Sequence, residues 1–173
     1  MPPRLPPIIM DLEASGFGSD SYPIEIGVVM DVGRKYCSLI HSRDDWTHWD
    51  SRAETAHGVS RETLLAHRRP VFEVTGTLNE MLRGRTACSD GWVVDRPWLD
   101  GLYAAASMRC EFTFSSLEMI LSEQQMAEWA DAKRVLLEEN RDPRHRASFD
   151  ALMVQETFER TRGMGKSAAF VQR

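Results

Sequence analysis

The feature that most constrains the fold is a set of three short apolar segments close together at the start of the chain. They span residues 5–14, 23–30 and 35–41. The joints at Gly16/Gly18 and Asp31/Gly33 contain residues that favour turns. Strands separated by such short connections pair as antiparallel neighbours. The sequence therefore predicts that the chain begins with a three-stranded antiparallel meander.

The rest of the chain alternates between helical and extended patterns. Val71, Val74, Leu78 and Leu82 recur at helical spacing, and Gly84 is a plausible stop. Residues 43–58 are predicted to be irregular, and Ser60 is expected to flank a helical stretch. Strands are expected at 85–89 and 111–114, and helices at 95–106, from about 115, at 125–139 and at 146–162. Three strands followed by crossovers indicate an α/β fold, with a mixed sheet flanked by helices.

Composition places the chain among ordinary soluble domains. Its 173 residues, 42% hydrophobic and 27% charged, fit a single domain in which residues 1–6 and 163–173 are expected to be mobile ends. Apolar runs fall far short of the ~20 residues of a membrane span, and the proline-rich start lacks a signal-peptide core. Cys37, Cys88 and Cys110 are spaced for neither a disulfide framework nor a zinc knuckle. The sequence predicts a cytoplasmic location.

The net charge limits the classes of function. Twenty-one basic residues against 26 acidic ones give −5. This argues against a passive nucleic-acid coat protein, which needs a basic surface. It is compatible with an enzyme that gathers carboxylates around metal ions.

The most informative acidic residues are Asp11 and Glu13, in the segment I-I-M-D-L-E. Residues two apart on a strand point to the same face, so both carboxylates would converge. Such a pair is costly unless one acid keeps its proton or a divalent cation binds. Oxygen ligands favour Mg²⁺ or Mn²⁺ over zinc. The alternative interpretation is two exposed acids at a strand end.

Two more acids and one histidine extend this set. His145 follows Pro143 and precedes Asp150 by five residues, so the two meet only if His145 lies before the helix and Asp150 one turn inside it. A histidine there would be a natural general base; the alternative is a surface histidine in a basic patch. Asp95 opens a helix after a short strand, where a capping role is the alternative.

Taken together, these segments resemble the DEDDh 3′–5′ exonucleases, a family with an RNase H-like fold. D-L-E-A-S-G supplies Asp11 and Glu13, V-V-D-R-P-W-L supplies Asp95, and H-R-A-S-F-D supplies His145 and Asp150. The segments at 56–62 and 70–74 also look like the family's connecting region. The resemblance covers about residues 7–160, and the most similar members by motif are oligoribonuclease-like.

The resemblance implies a metal-dependent hydrolase that releases nucleoside 5′-monophosphates from the 3′ end of single-stranded nucleic acid, with RNA or short oligoribonucleotides favoured. It implies two Mg²⁺ or Mn²⁺ ions bound by Asp11, Glu13, Asp95 and Asp150, with His145 as the general base. A homodimer is compatible with it. The alternatives are a DNA-directed exonuclease of the same family and a catalytically silent domain that binds nucleic acid or a partner.

The resemblance also implies substrate contacts around the site. Phe17 stands where the family often places an apolar side chain against the terminal base, although core packing is the alternative. The predicted substrate-binding set is Leu12, Ser15, Phe17, Glu25 and Arg146. Trp46 and Trp49 are candidates for base stacking, with core or partner packing as the alternative. Asp90 stands where the family usually carries asparagine, which adds a rival carboxylate.

Overall fold

The structure is a computed structural model that describes residues 5–41, 43–140 and 146–168. Three strands come first, then three helices, and then strands and helices alternate. The elements are β1 (Ile8–Ala14), β2 (Pro23–Val29), β3 (Lys35–Leu39), α1 (Ser51–His57), α2 (Arg61–His67), α3 (Val71–Leu82), β4 (Thr86–Ser89), α4 (Trp92–Ala105), β5 (Thr113–Ser116), a 3₁₀ turn (Leu117–Ile120), α5 (Glu123–Glu139) and α6 (Ala147–Ala168).

The five strands form one mixed sheet in the order β3-β2-β1-β4-β5. The first three strands pair antiparallel, as predicted, whereas β4 and β5 join parallel to β1. This confirms the predicted α/β fold with a mixed sheet. Because β1 and β4 run parallel, their carboxyl ends lie side by side at one edge of the sheet.

Alternation along β1 divides its side chains between two cores. Met10 and Leu12 pack on the face covered by α3 and α4. Ile9 packs on the other face, against Ala151 and Val154 of α6. Asp11 and Glu13 follow Ile9 at intervals of two and therefore project on the face that α6 covers.

Close contact between β2 and the start of α6 fixes where that helix begins. A Cβ atom on Gly27 would lie 2.2 Å from backbone atoms of Ala147 and Ser148. Glycine is therefore needed at position 27 for the helix to approach the sheet this closely. The contact places the first turn of α6, with Asp150, beside the sheet.

The element boundaries differ from the predicted ones at several points. The strand predicted at 111–114 is β5 at Thr113–Ser116, and the helix predicted from about 115 is replaced by the end of β5 and the 3₁₀ turn. Residues 43–58, predicted to be irregular, contain α1, which is capped by Asp50 and ends at Gly58 with a φ of 68°. Helix α4 begins at Trp92, so Asp95 lies inside its first turn. Helix α6 continues to Ala168 and not only to about residue 162. Residues 1–4 and 169–173 of the predicted mobile ends lie outside the described residues.

Within the described ranges, no helix combines the length and the apolar character that crossing a membrane requires.

Candidate active site

Three carboxylates from two distant parts of the chain converge at the carboxyl end of β1. Asp11 and Glu13 project from the strand, and Asp150 comes from the first turn of α6. One carboxylate oxygen from each lies within 4.8 Å of the others. The structure thus brings together three of the four predicted metal ligands, and strand alternation together with the packing of α6 explains why.

The fourth predicted ligand, Asp95, lies beside this cluster and is buried, with 4% of its surface exposed. Its Oδ2 accepts a hydrogen bond from the Ser89 hydroxyl, and the backbone of Leu12 also hydrogen-bonds to the carboxylate. Ser89 in turn accepts a bond from the Gly91 N–H at 2.9 Å. These contacts hold Asp95 facing β1 from the start of α4.

The carboxylates of this site repel one another when they are ionised. Burial, followed by repulsion from Asp95, Glu13 and Asp150, raises the pKa of Asp11 well above its usual range. Burial and then Asp150 raise the pKa of Glu13 to about 8. Burial raises the pKa of Asp95 to about 7, although the Ser89 hydrogen bond opposes the shift. A divalent cation would relieve this repulsion, and all-oxygen donors fit Mg²⁺ or Mn²⁺.

Asp90 contributes a fifth carboxylate at the end of β4. The parallel register pairs Ile9 with Cys88, and Asp90 follows the last residue of β4. Its charge raises the pKa of both Asp11 and Asp95. Its Oδ2 lies 2.5 Å from the Nζ of Lys133 in α5. Sequence reasoning missed Lys133, and no local pattern connects it to a residue 43 positions away.

Glu25 and Arg146, both predicted substrate contacts, bind each other. Glu25 is fully buried and lies opposite Glu13 in the antiparallel register. Arg146 donates from Nε at 2.8 Å, and it also donates from Nη2. The Cys37 thiol donates to the same carboxylate at 3.1 Å, and the Ala147 N–H donates at 3.3 Å. The pair therefore ties the start of α6 to β2, and substrate contact by either residue stays a prediction.

The other three predicted substrate residues differ in accessibility. Leu12 packs in the core between the sheet and α3 and α4. Ser15 is buried, and its Oγ accepts the Tyr22 N–H at 3.1 Å. Phe17 is 64% exposed, with the Arg52 guanidinium carbon 5.9 Å from its ring centroid. Of these three, Phe17 alone offers an open side-chain surface to a ligand.

The two tryptophans considered for base stacking pack within the protein. Trp46 stacks on Tyr22 with ring centroids 5.1 Å apart. Trp49 donates from Nε1 to Glu54 at 2.6 Å. Both pack against the apolar cluster that includes Ile24 and Leu39. These contacts agree with the core-packing alternative.

The predicted general base, His145, lies outside the described residues, so its role stays a prediction. Two other histidines lie near the end of β1. His48 Nδ1 lies 3.4 Å from Ser15 Oγ, and the ring packs against Gly16. His57 is buried, and its Nδ1 accepts the Val59 N–H at 3.1 Å. Burial lowers the pKa of His57.

No model of a protein family matches the chain, and no curated protein is similar to it in sequence. Solved structures of E. coli exonuclease I are similar in fold. The complex with a dT13 oligonucleotide has a TM-score of 0.64 at 11% identity, over 91% of this chain and 40% of that chain. The complex with a 5cy-dA13 oligonucleotide has a TM-score of 0.63 at 11% identity, over 88% and 39%.

A zinc-bound form of the E. coli ExoI–ssDNA complex gives a TM-score of 0.59 at 12% identity, over 95% of this chain and 40% of that chain. The chain therefore spans about two fifths of the length of the exonuclease I chains that it resembles. At this identity the similarity is one of fold. The protein has the RNase H-like fold of the exonuclease I structures, a mixed five-stranded sheet flanked by helices.

Proposed function

We propose that the protein is a metal-dependent 3′–5′ exonuclease that acts on single-stranded nucleic acid. The observation that carries this proposal is the convergence of Asp11, Glu13 and Asp150 within 4.8 Å. These carboxylates lie at the carboxyl end of β1, on a fold similar to structures bound to single-stranded oligonucleotides. A binding module needs no half-buried cluster of carboxylates that repel one another.

In this proposal the carboxylates bind metal ions and a histidine transfers the proton. Asp11, Glu13, Asp95 and Asp150 would hold the divalent cations, with Asp95 contributing from α4. Bound cations would neutralise the cluster and stabilise charge on the phosphodiester. His145 would accept a proton from the attacking water. Water oxygen then bonds to phosphorus, the 3′ oxygen of the preceding nucleotide leaves, and a nucleoside 5′-monophosphate is released.

The finer substrate class is proposed as short RNA, on the motif similarity to oligoribonuclease-like enzymes. DNA is the second candidate, because the similar exonuclease I structures hold dT13 and 5cy-dA13 oligonucleotides. The two sugars differ at the 2′ hydroxyl, which a protein reads by direct contact at the site. The two candidates therefore predict opposite preferences between matched RNA and DNA oligomers.

A panel of 5′-labelled RNA and DNA oligomers, from dinucleotides upward, tests both proposals. With Mn²⁺, a gel should show products shortened progressively from the 3′ end, and excess chelator should stop the reaction. A 3′-phosphate should block digestion, whereas a 5′-phosphate should not. The Asp11→Asn variant should be inactive, which controls for contaminating nucleases. Cleavage of circular single strands at a comparable rate, or full activity in chelator, would contradict the proposal.

A further inference from the structure

We infer that Lys133 of α5 is a phosphate-binding residue of the active site and that Asp90 pairs with its ammonium until a phosphate replaces it. The inference rests on the proposed function, because it gives that site a further substrate contact. Nothing in the sequence around residue 133 identifies it. Its place in the structure does.

The first observation is position. Asp90 follows directly after β4, which pairs parallel to β1 with Cys88 opposite Ile9. Lys133 reaches it from α5, so that Nζ lies 2.5 Å from Asp90 Oδ2. The ammonium group is thereby fixed at the carboxyl edge of the sheet, where the carboxylate cluster lies.

The second observation is charge. Asp90 lies near enough to raise the pKa of both Asp11 and Asp95. The ammonium of Lys133 therefore contacts a carboxylate, Asp90, that itself lies near Asp11 and Asp95. Arg146, another cation at this edge, forms an ion pair with the fully buried Glu25. A polyanionic substrate approaching carboxylates needs an attractive charge beside them, and Lys133 supplies one.

The third observation is access. The side chains of Lys133 and Asp90 are 33% and 24% exposed, so the pair is reachable by solvent. A groove of about 410 Å³ runs beside Lys133 and is lined by Ala130, Lys133, Arg134, Leu137 and Glu138. All five lining residues belong to α5, and a phosphate of a bound single strand lying in this groove would meet the ammonium. Because lysine has a long, flexible stem, Nζ can exchange Asp90 for that phosphate without movement of the helix.

If the ion pair only held α5 against the end of β4, its removal would have a different effect. Its loss from either side would lower stability and leave the affinity for nucleic acid unchanged. A phosphate contact instead predicts opposite effects on affinity. Lys133→Ala removes the attraction, whereas Asp90→Asn removes a competing anion and frees the ammonium.

The test measures binding of 5′-fluorescein-labelled oligodeoxythymidylate and oligouridylate by fluorescence anisotropy. Saturating Ca²⁺ fills the site while supporting little turnover. Lys133→Ala should weaken binding about tenfold, and the slope of log K against log salt should become shallower by about 0.7, the value for one contact to a single strand. Asp90→Asn should tighten binding, and the double variant should lose that gain.

Arg160→Ala is the matched control. Arg160 makes a comparable ion pair between helices, with Glu139 at 2.9 Å, and its side chain is 34% exposed. It lies ten residues beyond Asp150, or ~15 Å along α6. Its removal should leave affinity and salt slope unchanged.

An unchanged salt slope in Lys133→Ala, or weaker binding in Asp90→Asn, would overturn the inference. These readouts do not depend on hydrolysis. If the wild-type protein binds the probes with a salt slope set by Lys133 but cleaves neither, the proposed function fails while the phosphate contact stands.

Discussion

At the scale of single residues, the site is built from carboxylates that repel one another in the folded protein. Asp11 and Glu13 share a face because residues alternate along a strand, whereas Asp95 owes its orientation to the Ser89 hydroxyl. Glu25 lies opposite Glu13 but is compensated by Arg146. The acids of the cluster thus have an acidic neighbour, Glu25, that is paired with an arginine.

Two variants should distinguish a metal-binding role from the role of the general base. Asp11→Asn should weaken Mn²⁺ binding and reduce turnover, because it removes a carboxylate from the cluster. His145→Ala should lower kcat by about 10²–10⁴, the usual contribution of a general base, and leave Mn²⁺ affinity unchanged. Titration calorimetry with Mn²⁺ and single-turnover kinetics measure the two effects. Near-normal turnover in His145→Ala at neutral pH would move the base assignment to His48 or His57.

Arg146→Ala should destabilise the fold because it leaves Glu25 buried without its main partner. We expect a loss of about 3 kcal/mol, the lower end for breaking a buried pair, since the arginine side is partly solvated. Urea denaturation measures this loss, and adding Glu25→Gln should recover most of it. If Arg146 also binds substrate, the double variant will keep a raised KM. A normal KM in that variant would assign the pair to structure alone.

At the scale of elements, the features that could be predicted from the sequence are those that depend on the periodic spacing of residues. The strands and the long helices follow from apolar spacing, and Asp11 and Glu13 follow from alternation on β1. Helix α1 was missed because its seven residues, S-R-A-E-T-A-H, carry no apolar repeat. Its signals were Asp50 as a cap and Gly58 as a stop. The Asp90–Lys133 pair depends on how α5 packs, which one sequence does not specify.

The contact between β2 and α6 gives a prediction for Gly27. An alanine there would place its Cβ against the backbone of Ala147 and Ser148 and push the helix away from the sheet. Overpacking of this kind costs about 1–3 kcal/mol, and the displaced Asp150 should also weaken Mn²⁺ binding. Thermal unfolding and Mn²⁺ titration check both effects.

The control is Gly101→Ala, in α4, where a Cβ would meet no atom within 4 Å. That change should stabilise the helix by about 0.5–1 kcal/mol. Equal effects from the two substitutions would show that the closeness of α6 to β2 does not position Asp150.

At the scale of the whole molecule, stability should depend on pH in a direction set by the carboxylates. In the folded protein the pKa of Glu13 is raised from 4.5 to about 8, and the pKa of Asp95 from 3.8 to about 7. Between about pH 4 and 8 the folded state therefore holds more protons than the unfolded chain, so stability falls as pH rises through this range. In chelator, we expect Tm to drop by several degrees from pH 5 to pH 8.

Mn²⁺ should reverse that trend because it binds the deprotonated carboxylates. The increase in Tm on adding Mn²⁺ should be larger at pH 8 than at pH 5, as differential scanning fluorimetry can measure. Asp11→Asn should flatten the dependence in chelator. A Tm that rises with pH in metal-free wild-type protein would show that the cluster does not carry the proposed repulsion.

The packing of α6 on β1 and β2 has a consequence for biosynthesis. The ribosome makes β1 with Asp11 and Glu13 early, but Asp150 and a large part of the apolar cover for Ile9 and Val29, including Ala151 and Val154, arrive only with α6. A nascent chain that stalls before α6 therefore lacks one carboxylate and exposes an apolar sheet face that chaperones and proteases recognise. For the proposed nuclease, unfinished copies are inactive and open to degradation, so hydrolysis begins only after the messenger has been read through this helix.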